Sequence, residues 1–203
     1  MDKNIVFDFD ETIGYFDQII EMIKHTKKTS KEEIFEFLNT FPFVFRTNIF
    51  DIFFYIVRLK KEKKIKHVIL YSNNNNDLFI GFVLSYIHEK LNYVLFDISI
   101  SLKQTQNKNK NITDLLYHSN GLLTPNSSIF FIDDKEYQDM KSIQYYIKCE
   151  SYKYLYSKLE IEKKLNISIP INRDKSKIIS QSIYAYISKE IINKIRLFVL
   201  INI

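Results

Sequence analysis

The stretch "KNIVFDFDETIGYF", Lys3 to Phe16, places Asp8, Asp10 and Thr12 two residues apart directly after an apolar run. Two more groups follow apolar runs further along, Ser72 and Asn73 after "HVILY" and Asp133 and Asp134 after "SIFFI", and upstream of the latter Lys110 opens the short segment "KNITDLL". These are the residue types that phosphoryl transfer uses, where catalysis is mostly positioning and charge neutralisation. A carboxylate such as Asp8 can attack phosphorus and form an aspartyl-phosphate, dividing one displacement into two easier ones. Asp10 can protonate the leaving oxygen and then activate water. Thr12 would hold the turn, and with Ser72, Asn73 and Lys110 it would meet the phosphoryl oxygens. Carboxylates crowded at one edge repel one another unless a hard cation joins them, and Mg²⁺ suits such oxygen ligands. Asp8, Asp10, Asp133 and Asp134 are the expected metal set.

Convergence of these groups depends on the elements between them. Strand-length runs rich in β-branched and aromatic residues occur at Asn4 to Phe9, His67 to Tyr71, Tyr93 to Ile98, Ser128 to Ile132 and Ile143 to Ile147. Helix-like segments separate them. Ser30-Lys31-Glu32-Glu33 has the form of a capping box, and Ile49 to Lys61 and Asp77 to Leu91 have helical length and apolar faces. Strands alternating with helices predict βαβ units and a parallel sheet covered on both sides. In such a sheet ligands bind outside the carboxyl ends of the strands, which is where every candidate residue falls.

In this context the chain resembles the haloacid dehalogenase superfamily. "IVFDFDETIG" is similar to its first motif, "HVILYS" to the second, and "SIFFIDD" to the fourth. The Asp-Glu-Thr form, "FRTN" at Phe45 to Asn48 where relatives have Arg-Pro-Gly, and the Lys of "KNITDLL" resemble the subgroup of the RNA polymerase II carboxy-terminal-domain phosphatases. Thr47 and Asn48 in place of Pro-Gly, Ser at the second motif and Asp-Asp at the fourth depart from that subgroup's pattern. The resemblance spans about Asn4 to Asp134. It implies a Rossmann-like α/β fold and Mg²⁺-dependent phosphatase chemistry with Asp8 as nucleophile, Asp10 as acid/base, and Ser72 and Lys110 on the phosphate. It also implies a metal held by the first Asp, the second Asp's backbone carbonyl and the paired acids.

Spacing bears on the substrate. The interval from Asp8 to Ser72 must hold at least two helices, and that from Ser72 to Lys110 a helix and a strand, so neither fits the large cap that small-metabolite members carry. An uncovered site admits a phosphate on a macromolecule: phosphorylated Ser/Thr in protein first, a nucleic-acid 3′ end second. A binding module that kept the fold without turnover is the alternative outside enzymes. Gly14 to Arg46 are expected to build a small flap beside the mouth, with Arg46 either touching substrate or anchoring a loop.

Other readings of the same residues are narrower. An EF-hand loop starting at Asp8 would put Gly14 at position seven instead of six and Ile19 where the bidentate Glu belongs. Ser72 and Asp133-Asp134 could instead cap helices, and Lys108 competes with Lys110 for the site. "RLKKEKKIK", Arg58 to Lys66, looks like a nucleic-acid patch but ends a helix and precedes a strand, which assigns it to the opposite sheet edge.

Composition bounds the rest. The net charge of +5 does not mark the main body as basic, because 19 Lys and Arg balance 19 Asp and Glu through Cys149; the excess lies beyond it. The expected organisation is a catalytic domain over 1–150 and a basic helical extension over 151–203, packed on or beside it. In that extension Ile179, Ile183, Ile187, Ile191 and Ile195 recur every four residues, a helix face that needs the main domain, another chain or a polyanion against it. The single cysteine, Cys149, has no disulfide partner within the chain, and the four histidines lack zinc spacing. The apolar runs are too short to span a membrane, and the N-terminus has no secretory pattern, so an intracellular setting, cytoplasm or nucleus, is expected.

Overall fold

The computed structural model describes residues 2–168 and 180–201. It is an α/β structure built on five parallel strands: β1 (Lys3–Phe7), β2 (His67–Tyr71), β3 (Ile98–Ile100), β4 (Ser128–Asp133) and β5 (Tyr145–Lys148), in the order β3-β2-β1-β4-β5. Helices α1 (Asp17–Thr26), α2 (Lys31–Thr40), α3 (Ile49–Lys61), α4 (Asp77–Leu91), α5 (Leu102–Thr105), α6 (Ile112–His118), α7 (Lys158–Leu165) and α8 (Gln181–Leu200) flank the sheet. This is the Rossmann-like class that the alternating pattern predicts.

The central strand explains the hydrophobic run at the start of the chain. Val6 lies between Ile69 of β2 and Phe131 of β4 in register, and Ile5, Val6 and Phe7 are all fully buried. Alternate side chains of β1 enter two cores: Ile5 and Phe7 join the larger one with α1 to α4, while Val6 joins a smaller one with Leu115 of α6. A strand covered on both faces reads as continuous apolar sequence.

The order of the strands fixes where a ligand can sit. From β1 the chain steps outward to β2 and β3, then crosses to β4 on the other side of β1. The carboxyl ends of β1 and β4 therefore flank the reversal point, the crevice that open α/β sheets use for binding.

Three strands differ from expectation, and β1 does so by ending at Phe7, two residues before the expected Phe9. The run Tyr93 to Ile98 does not form the third strand, which begins only at Ile98. Leu95 and Phe96 are instead buried among the helices, with Phe96 edge-on to Phe7 and Phe53. Asp97 stands at the entry, where its carboxylate accepts the Val68 N–H at 2.8 Å and the Lys60 ammonium at 2.7 Å. The fifth strand likewise starts two residues late, at Tyr145.

The helices follow their local signals. Ser30 and Glu33 form the reciprocal capping box at the start of α2. Helix α3 ends at Lys61, and Lys60 and Lys66 pair with Asp97 and Asp2, so the basic run lies at the amino end of β2, opposite Ser72. The stretch from Gly14 to Arg46 is no free flap. Ile19, Met22, Ile34, Phe37, Leu38 and Phe41 sink into the main core, which takes α1 and α2 with them.

Of the isoleucine ladder, Ile179 lies outside the described residues. Ile191 and Ile195 are buried, Ile187 is half-buried and Ile183 is exposed. The face of α8 that packs is Tyr184, Ser188, Ile191, Ile195 and Phe198, which follows the 3.6-residue turn more closely than a strict four-residue step. Phe198 meets Phe130 of β4 at 5.3 Å and Tyr145 of β5 at 5.0 Å. The main body supplies the partner surface.

Among the described residues no helix is long and apolar enough to cross a membrane.

Candidate active site

Asp8 leaves the end of β1 with its N–H still on the Ile132 carbonyl, so its side chain is delivered beside the end of β4. There one carboxylate oxygen from each of Asp8, Asp133 and Asp134 lies within 4.8 Å of the others, all three residues buried. Lys110 reaches into this group from the loop before α6. Its ammonium donates to Asp8 Oδ1 and to Asp133 Oδ2, the latter at 2.7 Å, and its side chain is wholly enclosed. Rings of Tyr71, Phe131 and Tyr137 stand around the ammonium, each centroid 5.6 Å away. The lysine of the site is thus Lys110; Lys108 is exposed and contributes its backbone carbonyl to Asn73.

One ammonium does not neutralise three carboxylates. Burial, and then the charge of Asp8, push Asp133 upward against the pull of Lys110, and the same two causes push Asp134 up to about 6. Burial alone would favour neutral Lys110, yet Asp8 and Asp133 hold it protonated and raise its pKa. The enclosed group carries a net charge of about −2 when ionised, an arrangement that a divalent cation offsets. Three hard oxygen donors fit Mg²⁺, whose octahedral shell spans about 4 Å and which keeps positions for water and substrate oxygens. The Asp10 carboxylate is not in this set; the part that the resemblance implies for Asp10 is its backbone carbonyl.

Asp10 is turned toward the opposite wall, where its Oδ2 accepts the Asn74 Nδ2–H at 3.0 Å. Burial and the nearby Asp8 charge push its pKa up to about 6. A carboxyl in that range can hold a proton and release it near neutral pH.

The loop carrying Asp10 is bent back on itself. Glu11 stands at φ 60° and donates its N–H to the Gly14 carbonyl at 2.7 Å. A Cβ on Gly14 would lie 2.4 Å from the Val44 carbonyl oxygen and 2.6 Å from the Phe16 ring, so the close approach requires glycine. Thr12 holds the turn as expected, its hydroxyl accepting the Asp134 N–H at 2.9 Å and joining the ends of β1 and β4.

Of the two expectations for Arg46, its contacts are those of a loop anchor. It is 1% exposed, and its guanidinium donates to the carbonyls of Thr12 at 2.6 Å, Glu11 at 2.8 Å and Glu150 at 2.7 Å. It anchors the Asp10 loop from behind. Just after it, Asn48 adopts φ 62°, the left-handed region that asparagine tolerates better than other residues with a side chain.

The second wall comes from "SNNNN". Ser72, fully buried at the end of β2, accepts the Asn74 N–H at 3.0 Å and caps no helix; the cap of α4 is Asn76. Asn73 was expected on the phosphate, but its amide is spent on the Lys108 carbonyl at 2.7 Å and the Tyr137 hydroxyl at 3.0 Å. Its side chain ties loops together. Asp133 and Asp134 cap no helix either, Asp133 instead accepting the Lys135 N–H at 2.8 Å. Two groups at the site escape motif reasoning. Asn74 carries a signal only in its position three residues past a strand end, and Tyr137 carries none.

Comparison of the chain with protein-family models, with curated proteins and with solved structures finds no match in any of the three.

Proposed function

We propose that this protein is a Mg²⁺-dependent phosphomonoester hydrolase of the haloacid dehalogenase type, working through an aspartyl-phosphate on Asp8. The observation that carries the reading is the convergence of Asp8, Asp133 and Asp134 around the buried ammonium of Lys110, with Asp10 apart from them on its own hydrogen bond. A purely structural cluster would leave a net negative charge enclosed for no return.

The chain's residues divide the reaction. A carboxylate oxygen of Asp8 attacks phosphorus and forms the Asp8–phosphoryl bond, while the bond from phosphorus to the leaving oxygen breaks with its electron pair. Protonated Asp10 delivers its proton to that oxygen, and the alcohol departs. Asp10, now ionised, takes a proton from water as the water oxygen attacks phosphorus, which frees Asp8 and yields phosphate. Lys110 neutralises charge on Asp8 and on the phosphoryl oxygens, and the Ser72 hydroxyl would donate to one of them. Bound Mg²⁺, held by Asp8, Asp133 and Asp134, would supply the remaining charge neutralisation.

The substrate is a phosphate on a macromolecule, phosphoserine or phosphothreonine in protein in the first place. The support is spatial: the segments between motifs are taken up by α1, α2 and α3, whose apolar faces belong to the main core.

The test is a panel of phosphoesters with Mg²⁺, run on the wild type and Asp8→Asn together. Turnover of p-nitrophenyl phosphate by the wild type, abolished by chelator and lowered at least about a thousandfold in Asp8→Asn, is the expected result. Metal-loaded protein that turns over no phosphoester points to a binding module instead. Faster turnover of 3′-phosphorylated oligonucleotides than of phosphopeptides, with strong salt dependence, reassigns the substrate to nucleic acid.

A further inference from the structure

Asp10 can protonate a leaving group only if its carboxyl is held toward that group and away from the metal acids. Its surroundings supply the means. Asn74 is fixed at four points: its N–H donates to Ser72 Oγ at 3.0 Å, its carbonyl accepts the Leu102 N–H at 3.2 Å, its Oδ1 accepts the Asn76 N–H at 2.8 Å, and its Nδ2 donates to Asp10 Oδ2 at 3.0 Å. The first three bonds leave the amide little freedom. Its Oδ1 is committed to the turn that opens α4, so Nδ2 is the atom presented to Asp10. The donor binds one oxygen of the carboxyl and leaves the other to carry the exchanging proton.

We infer that Asn74 is the positioning residue for proton transfer, the rigid donor that orients Asp10 toward the leaving oxygen. The inference rests on the hydrolase reading above and deepens it by making the β2–α4 turn part of the acid/base machinery. Loss of the Nδ2 donor should matter in proportion to the proton the leaving group needs. A p-nitrophenolate departs with little help; an alkoxide, as from phosphoserine, departs only when protonated.

The test is kcat/KM with Mg²⁺ on p-nitrophenyl phosphate and on a phosphoserine peptide. Asn74→Asp keeps an oxygen for the Asn76 N–H and replaces the donor with a second oxygen facing Asp10, while Asn74→Ala removes both. The expected result for each is a loss at least about tenfold larger on the peptide than on the aryl ester. In an Asp10→Asn background the further substitution Asn74→Asp should cost less than about twofold on the peptide, since the group it orients is gone. Equal losses on the two esters, or an undiminished second loss in the Asp10→Asn background, assign Asn74 a structural role and overturn the inference. A wild type that turns over neither ester removes the hydrolase reading itself, and this role with it, so the two failures are distinct.

Discussion

Asp10 and Asp134 carry the cost of the enclosed charge, and that cost has a measurable sign. Both carboxyls are pushed from an ordinary value of 3.8 up to about 6, by burial first and the charge of Asp8 second. Between those two values the folded protein holds protons that the unfolded chain has released, so stability falls as pH rises through this window. The chelated protein should therefore show a Tm contribution that declines from pH 4 to pH 7, shallower in Asp134→Asn. Saturating Mg²⁺ should restore about 5 °C at pH 7 and much less at pH 4, where the ligands are protonated. Thermal melts in chelator and in Mg²⁺ across that range check this; a Mg²⁺ effect independent of pH would contradict it. The acids were legible because a charged residue directly after a buried strand has few structural reasons to be there; Lys110, ten residues past β3, was legible only through the likeness of "KNITDLL". Arg46 was not. Its sequence neighbourhood fits a substrate contact and an anchor equally, and only the three carbonyls converging on its guanidinium decide for the anchor.

Loops and strand ends set the geometry in which those residues meet. The turn after β1 depends on Gly14, where a methyl group would strike the Val44 carbonyl. That carbonyl cannot easily retreat, since it accepts the Tyr15 N–H at 2.7 Å. Gly14→Ala should cost about 1–3 kcal/mol, read as a Tm lower by roughly 5 °C, and should depress turnover further than stability because the displaced loop carries Asp10. A variant with wild-type Tm and wild-type kcat would show that the approach is relieved elsewhere. The elements themselves were readable where local chemistry dominates. The capping box of α2 and the apolar runs of β2 and β4 fall where their residue types put them. The run Tyr93 to Ile98 misleads because burial between helices and burial in a sheet select the same apolar residues, and the Asp97 carboxylate that takes the place of a backbone acceptor is a tertiary event. Within "NNNN" the sequence singles out only Asn73, yet Asn73 ties two loops, Asn74 donates to Asp10 and Asn76 caps α4. Identical residues with separate tasks leave no periodic trace.

Across the whole molecule, the question is whether the last 53 residues of the expected division are an addition to a finished domain or part of its fabric. Ile161, Ile191, Ile195 and Phe198 are buried in the same core as Ile5 and Phe7. Burying four such side chains contributes about 6–12 kcal/mol, comparable with the entire stability of about 5–15 kcal/mol expected of a folded domain. The segment after β5 is also stitched to the site. Tyr152 donates its N–H to the Glu11 carbonyl at 2.7 Å and its hydroxyl to the Phe43 carbonyl at 2.7 Å, Ser151 pairs with the Glu11 carboxylate, and Gln18 exchanges two hydrogen bonds with Tyr156. At the far end the Lys3 ammonium, at the start of β1, donates to the Val199 and Ile201 carbonyls at 2.7 and 2.6 Å, closing the last turn of α8. A chain ended at Cys149 would expose the core over β1 and α3 and would deprive Arg46 of the Glu150 carbonyl. It should give no cooperative melt and no phosphatase turnover, and it should bind a hydrophobic dye that the full chain excludes. Melting, dye binding and turnover measured on the two chains side by side decide the matter: a sharp transition with retained activity in the short chain would make residues 150 onward a separable extension, whereas loss of the transition and of turnover together with a gain of dye binding makes them part of what holds Asp10 and Thr12 in place.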